Sequence, residues 1–406
     1  MNVYMGIDWS AKKHDIVVVN ETGAIIAREV IPHQQSSFEK LNELRASLAV
    51  PADDCLVGME TAHNVLIDYL WGQGYNQVYV IPPTVVKGSR GRYSSSGARS
   101  DQRDAQLLAD ILRTDRSRLQ PWRPDSLLTR QVRAKVSLIG HITKTIRRTA
   151  ERLRANLIRY YPGALALFGG LEAQVTLAFL LEYTTPQAMS ALTYEQFRVF
   201  CNGQHYPRHA IPKQYARLQA SFPEASPETV AVYEDDTRYL ARELLNLVRT
   251  KAAMKRELTK LFQQHPDALV FASLPGAGEL LAPSLLAKFG DDRDRFPTAS
   301  SVQALAGTCP VTDASGKRRV VKFRQGCDKA FRQIAQQWAR SSMRKSAWAP
   351  VYWEQVRARV RCDNDAFRRL ANRWLAIAWK LWHTRQPYDE AYHLQQRLQR
   401  SKPLTN

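Results

Sequence analysis

Four acidic residues carry the strongest chemical signal in the chain: Asp8, Glu60 and the pair Asp101 and Asp104. Asp8 closes the apolar run Val3-Tyr4-Met5-Gly6-Ile7, and Glu60 closes Cys55-Leu56-Val57-Gly58-Met59. Both runs have the length and composition of buried strands. Asp101 and Asp104 lie three apart where a helical pattern begins, so they share one helix face. With the two strands side by side and that helix packed on them, all four acids reach one patch. Carboxylates gathered in one place cannot all stay charged and unpaired, so the pattern calls for divalent cations among them. Taken singly, each acid has a plainer role open to it: Asp101 suits a helix N-cap and Asp104 a first-turn charge. Their joint placement is what points to metal-dependent chemistry.

The elements that would position these acids read as a mixed sheet. Val3 to Asp8, Asp15 to Val19 and Ala24 to Val30 form an antiparallel meander, the last two joined by Asn20-Glu21-Thr22-Gly23. Ser37 to Ala49 reads as a helix with Phe38, Leu41, Leu44 and Leu48 on one face. The strand ending at Glu60, a helix through Val65, Leu66, Tyr69 and Leu70, and a strand Gln77 to Ile81 stopped by Pro82-Pro83 follow. The order β-β-β-α-β-α-β-α predicts a ribonuclease H-like (RuvC-like) α/β domain over residues 1–125. Lys87 to Arg99, rich in Gly, Ser and Arg, predicts a flexible basic loop beside the acids. Gly6-Ile7-Asp8 also resembles the opening of sugar kinases of the actin-like fold, but no G-x-x-x-x-G-K phosphate loop accompanies these strands.

Charge narrows the partner. The formal net charge of +20 over 406 residues, with a pI of about 9.9, calls for a polyanion. A membrane surface is the competing explanation, but no apolar run approaches the ~20 residues that span a bilayer, and the chain enters its first strand without a signal-peptide pattern. Nucleic acid and a cytoplasmic location on DNA are the expectation. Cys55, Cys201, Cys309, Cys327 and Cys362 are scattered without C-x-x-C spacing, which fits a reduced compartment and neither a disulfide framework nor a zinc site.

Beyond residue 125 the pattern becomes helical. Val132, Val136, Ile139, Thr143, Ile146, Ala150, Leu153 and Leu157 alternate four and three apart, and Val230 to Leu261 repeats the spacing after the helix start Ser226-Pro227-Glu228. Two coiled-coil seams over 126–265 are expected, paired within the chain or between chains, with a small helical subdomain inserted at 162–225. Arg147 and Arg148 belong to a dense run of cations on the first seam helix and suit a nucleic-acid backbone. Residues 266–350 open with Leu274-Pro275-Gly276-Ala277-Gly278, a helix-hairpin-helix pattern whose Gly276 and Gly278 would expose backbone N–H groups to a phosphate. Ser315 follows on an expected loop, ahead of the cations Lys317, Arg318, Arg319 and Lys322. A serine amid cations has the makings of a nucleophile toward a phosphodiester, although the residues alone favour a turn serine beside a DNA-binding patch. A basic helical tail over 351–406 presents Phe367, Leu370, Trp374, Ile377 and Leu381 on one face, Trp374 as packing.

These motifs, in this order, resemble the DEDD transposases of the insertion sequence 110 family, relatives of the Piv-type DNA invertases. The resemblance rests on Gly6-Ile7-Asp8, Glu60 and Asp101-x-x-Asp104-Ala105 at one end, and on Pro275-Gly276-Ala277-Gly278, Ala306-Gly307, Pro310, Ser315-Gly316-Lys317 and Trp382 with Pro387-Tyr388-Asp389 at the other. Arg99-Ser100 stand where the family commonly has lysine and threonine. The resemblance implies an RNA-guided recombinase in which a structured non-coding RNA pairs with donor and target DNA. It implies a homo-oligomer, a tetramer, with a site composed of one subunit's acids and another's serine. Asp8, Glu60, Asp101 and Asp104 would hold Mg²⁺, and Ser315 would form a phosphoserine link to DNA. Two other readings stay open on the residues alone: a metal-dependent RuvC-like junction nuclease that uses water, and a nucleic-acid binder without catalysis.

Overall fold

A glycine in the first strand sets how closely the first part of the fold is built. The structure, a computed structural model, describes residues 2–62, 65–92, 100–316 and 318–401. It divides into two compact units, Met1–Pro124 and Asp125–Asn406. In the first, β1 (Val3–Trp9), β2 (Lys13–Val19), β3 (Ile25–Pro32), β4 (Cys55–Met59) and β5 (Val78–Val80) form one sheet in the order β3-β2-β1-β4-β5. β1 and β2 pair antiparallel, as do β2 and β3, whereas β1–β4 and β4–β5 are parallel. The helices are α1 (Gln35–Ser47), α2 (Val65–Gly72), α3 (Pro83–Ser89) and α4 (Asp101–Asp115).

Side-chain alternation sorts the sheet into two apolar faces. Val3, Met5, Ile7, Ile16 and Val18 pack with Phe38 and Leu41 of α1 and Leu66 and Leu70 of α2. Tyr4, Val17, Val19 and Leu56 pack on the opposite face with Ala105, Leu108, Ala109 and Leu112 of α4. Gly6 has the parity of the α4 face, and a Cβ there would lie 1.9 Å from the Ala105 carbonyl oxygen and 2.5 Å from the Ala109 nitrogen. Gly58 of β4 is less crowded, a Cβ there lying 3.2 Å from both the Leu108 carbonyl oxygen and the Ile81 Cδ1. Helix and strand therefore meet backbone to backbone. The expected mixed sheet with flanking helices is present. The expected loop at Lys87–Arg99 is in part helical: α3 runs to Ser89 and a single 3₁₀ turn covers Arg90–Arg92 because Pro83 supplies a first-turn φ suited to a helix. Residues 93–99 lie outside those described.

In the second unit α5 (Leu127–Tyr160) is followed by α6 (Gln174–Glu182), α7 (Pro186–Ser190), α8 (Tyr194–Gly203), α9 (Ile211–Leu218) and the 37-residue α10 (Pro227–Gln263). Lys135 pairs with Glu257, and Arg152 and Asn156 both reach Asp236, so α5 and α10 run antiparallel within the chain. Val132, Ile139, Ile146, Leu153 and Leu157 are buried along α5, as are Val230, Leu240, Leu244 and Leu258 along α10. Phe179, Phe197 and Phe200 of the short helices join the core at one end of this pair.

A second core gathers α11 (Ala268–Ala272), α12 (Gly278–Phe289), α13 (Ala299–Leu305), α14 (Lys329–Ser342), α15 (Trp348–Arg357) and α16 (Asp363–Thr384) around Phe289, Phe331, Trp338, Trp374 and Trp382. Trp374 is fully buried and donates its indole N–H to Ser342 Oγ at 2.8 Å, the packing role expected for it. Between α13 and α14 stands an exposed antiparallel ribbon, β6 (Val311–Ser315) with β7 (Arg318–Lys322). The chain's described part closes with α17 (Glu390–Ser401).

Because the Gly6 Cα leaves no room for a methyl group, Gly6→Ala should lower the free energy of unfolding by about 2–3 kcal/mol. Gly72→Ala, at a helical position with nothing within 4 Å of the new Cβ, should change it by under ~1 kcal/mol. Urea unfolding of the two variants measures the difference, and equal stabilities would refute the close-packing account.

Candidate active site

The register of the sheet carries Asp8 and Glu60 to the same edge. β1 and β4 are parallel and their pairing ends with Gly6 opposite Gly58, so Asp8 and Glu60 each lie two residues beyond the last pair, at the same end of the sheet. Asp8 shares the parity of Gly6, so it rises on the α4 face. The first turn of α4 arrives there too, since Ala105 sits over Gly6. Asp101 lies one turn before Ala105, and Asp104 beside it. The plainer reading of Asp101 does not hold: the N-cap is Ser100, whose hydroxyl accepts the Arg103 N–H at 3.3 Å.

Electrostatics register the gathering. The Asp8 carboxyl is pushed from the ordinary 3.8 up to about 6, by burial first and then by the negative charges of Asp104, Asp101, Glu60 and Asp15. Asp15 was not among the residues singled out from the sequence. It is the cross-strand partner of Asp8 in the β1–β2 hairpin and is buried. The only signal for it was the hairpin register. Two cations answer the acids. Lys13 Nζ lies 2.9 Å from Asp15 Oδ2 and 3.0 Å from Asp101 Oδ2. These hydrogen bonds, to Asp15 and then Asp101, hold the ammonium above the ordinary lysine range. Arg90 Nη2 lies 3.1 Å from Asp104 Oδ2.

All-oxygen donors of this kind suit hard cations such as Mg²⁺, Mn²⁺ or Ca²⁺. The donor set fits such an ion by its chemistry; Asp8 is raised first by burial and then by repulsion from its neighbours, and an ion among the acids would relieve the repulsive part. As they stand, no three His, Cys, Asp or Glu side chains among the described residues are grouped closely enough to hold one. Asp101 and Asp104 face Lys13 and Arg90 instead.

The other expected site residues lie in the second unit. Ser315 is the last residue of β6, not part of an irregular loop, because its strand pairs with β7 down to Ser315 opposite Arg318. Gly316 takes the left-handed φ of +56° that so tight a hairpin turn demands, and Lys317 lies outside the described residues. Directly opposed residues share a face of the ribbon, so Ser315, Arg318, Asp313, Val320, Val311 and Lys322 form one face and Arg319 lies on the other. Ser315, Arg318, Arg319 and Lys322 are all exposed, and Lys322 pairs with Asp313. Arg147 and Arg148 are exposed on α5.

Gly276 and Gly278 part company. Gly276 (φ +75°) packs its Cα against α14, where a Cβ would lie 2.5 Å from the Ser341 carbonyl carbon. Its role is close packing, reinforced by Trp338 donating to the Pro275 carbonyl at 3.0 Å. Gly278, exposed at the start of α12 with open space around it, keeps access for a phosphate.

Comparison with known proteins finds matches at both ends of the chain. Residues 5–162 match the DEDD family of IS110, described as a transposase. Residues 268–354 match the family described as transposase IS116/IS110/IS902. The chain is 30% identical over 402 residues to the "Mini-circle putative transposase for IS117" of Streptomyces coelicolor, covering 96% of each chain. It is 24% identical over 292 residues, 70% of each chain, to the "Insertion element IS110 uncharacterized 43.6 kDa protein" of the same organism. Together these likenesses make the chain a transposase, an enzyme of DNA recombination. It belongs to the IS116/IS110/IS902 family.

The raised Asp8 carboxyl has a consequence for stability. Its folded value of about 6 exceeds the ordinary 3.8, so between those values the folded chain binds more protons, and stability falls as pH rises through that window. Asp8→Asn should therefore be more stable than the parent at pH ~7.5 in EDTA, with the gap closing toward pH ~4. Chemical denaturation at the two pH values checks this, and an Asp8→Asn chain no more stable at the higher pH would contradict it.

Proposed function

We propose that the chain cuts and rejoins DNA at Mg²⁺ held by Asp8, Glu60, Asp101 and Asp104, with Ser315 as the nucleophile. The observation carrying this reading is the gathering of carboxylates around Asp8, where Asp104, Asp101, Glu60 and Asp15 add to the rise in proton affinity that burial begins. The strand order β3-β2-β1-β4-β5, with acids at the ends of the two parallel central strands, supports a ribonuclease H-like identity for the first unit. An ion bound there supplies Lewis acidity, polarising the phosphodiester and stabilising a leaving oxygen. Asp8, Glu60, Asp101 and Asp104 would supply its oxygens, and an all-oxygen donor set suits a hard cation.

Ser315 acts as the covalent carrier in this reading. Its exposed hydroxyl, at the end of a strand and opposite Arg318, is accessible to a backbone phosphate, and the guanidinium favours the charge that builds on phosphorus oxygens. Attack forms an Oγ–P bond and breaks a P–O bond to the departing strand, so the phosphodiester energy is conserved for rejoining without ATP. The partners are donor and target double-stranded DNA and a structured guide RNA. A net charge of +20 and the exposed Arg147 and Arg148 suit backbone and 2′-hydroxyl contacts with A-form RNA. A tetramer and a cytoplasmic location complete the reading. No helix among the described residues is long and apolar enough to cross a membrane.

A metal-dependent junction nuclease using water needs only the acids, and the covalent adduct separates the two. Incubation with cognate DNA, guide RNA and Mg²⁺, followed by denaturing electrophoresis, should reveal protein bound to DNA. Ser315→Ala should reduce that adduct at least ~10³-fold, and Asp104→Asn should cut strand exchange by about two orders of magnitude or more. Cleavage that persists in Ser315→Ala with no adduct in either protein would establish hydrolysis by water.

A further inference from the structure

The two cations on the acidic site are placed to do more than neutralise it. Lys13 enters from the start of β2, and Arg90 from the 3₁₀ turn after α3. Each takes one of the two acids of α4, Asp101 and Asp104 respectively. Five carboxylates, Asp8, Asp15, Glu60, Asp101 and Asp104, are answered among the described residues by these two cations, which leaves an excess of negative charge there when all are ionised. The pairs are not locked. The Lys13 and Asp101 side chains keep 47% and 60% of their surface in solvent, and such exposed pairs are readily exchanged. Arg90 also has a buried Nε with no acceptor among the described residues, although its Nη2 is engaged. The Arg90 side chain keeps 33% of its surface in solvent, so an incoming phosphate can reach the guanidinium.

We propose that Lys13 and Arg90 are phosphodiester-binding residues that exchange partners: in the free chain they neutralise Asp101 and Asp104, and on binding nucleic acid they move to its backbone. The exchange frees both carboxylates for the divalent cation, so ion and nucleic acid bind with positive coupling. Each ligand is disfavoured alone. Without the polyanion, an incoming ion must displace two resident cations. Without the ion, a phosphate moved against the acids meets uncompensated negative charge. Bound together, each removes the obstacle to the other, and linkage makes the effect equal in both directions. The inference rests on the reading that the four acids hold the cation.

The full chain titrated with Mn²⁺, followed by electron paramagnetic resonance of the free ion, with and without a short mixed-sequence DNA duplex, tests it. The parent should bind Mn²⁺ at least about fivefold more tightly with the duplex than without, at the low end of ordinary coupling. Lys13→Gln combined with Arg90→Gln should bind the ion more tightly than the parent in the absence of DNA and lose most of the coupling. The same variant should lower the slope of log affinity for DNA against log salt by about 1.8, for two lost phosphate contacts. Lys13→Arg with Arg90→Lys, which keeps both charges, should restore the coupling and confirm that the glutamine variant fails for want of charge, not of folding. Equal Mn²⁺ affinity with and without duplex in the parent, or an unchanged salt slope, overturns the exchange while leaving the acids as ligands. Absence of Mn²⁺ binding in every protein and condition overturns both readings.

Discussion

Like charges are held together here by backbone packing, not by any attraction between them. The approach of α4 to β1 across Gly6 leaves no space for a side chain, and the first turn of α4 follows from it. Apolar burial along Ala105, Leu108, Ala109 and Leu112 opposes the repulsion that Asp101 and Asp104 meet at Asp8. The sheet face beneath α4 thus fixes an arrangement that would disperse if the acids were free to choose. Sites of this sort cost stability in the unliganded chain and recover it when the right counter-charge arrives. Asp8 carries part of that cost, its carboxyl raised to about 6 by burial and then by the negative charges around it.

The four acids were legible because each sits where a local periodicity changes. A period-2 apolar run ends at Asp8 and another at Glu60, and a period-3.6 run begins at Asp101. Side-chain parity then carries them to one face. The groups that answer those charges left no such mark. Asp15 matters because it is hydrogen-bonded across from Asp8, and cross-strand register is a property of pairing, not of either strand. Arg90 lies in a Gly- and Arg-rich stretch whose composition reads as loop, and only tertiary contact brings it to Asp104. The ribbon bearing Ser315 escaped notice for a different reason. Val311-Thr312-Asp313-Ala314-Ser315 and Arg318-Arg319-Val320-Val321-Lys322 are exposed almost throughout, so neither strand carries the in-out apolar alternation by which a half-buried strand is recognised.

Heptad spacing in α5 and α10 left intramolecular and intermolecular pairing equally open. The cross-links Lys135–Glu257 and Arg152–Asp236 show the two helices paired antiparallel within the chain. Val132, Ile139, Leu244 and Leu258 are consequently buried inside one molecule, and those residues are not free to form a seam with another. What α5 presents outward is its exposed cations, among them Lys144, Arg147, Arg148 and Arg154. A helix whose apolar stripe is satisfied at home and whose other side is cationic is a rigid electrostatic surface. It can grip a polyanion with little conformational entropy lost, because the long helix is already ordered.

The contrast between the proposed metal ligands and the proposed nucleophile follows from the demands on each. Carboxylates that define a cation site must be fixed relative to one another: Asp8 lies in β1, Glu60 directly follows β4, and Asp101 and Asp104 open a helix anchored by a buried face. A nucleophile that becomes covalently joined to a long polymer has another requirement: it must reach phosphorus and remain accessible while the strand it carries is moved. An exposed two-stranded ribbon meets that requirement, since it keeps its own hydrogen-bond ladder without needing a core on either face. Few buried contacts hold such a ribbon, which places its local opening at the low end of the stability range of a fold. Rigid acids and an accessible serine are therefore the distribution of order that a strand-rejoining chemistry favours over simple hydrolysis, for which an anchored ion and water suffice.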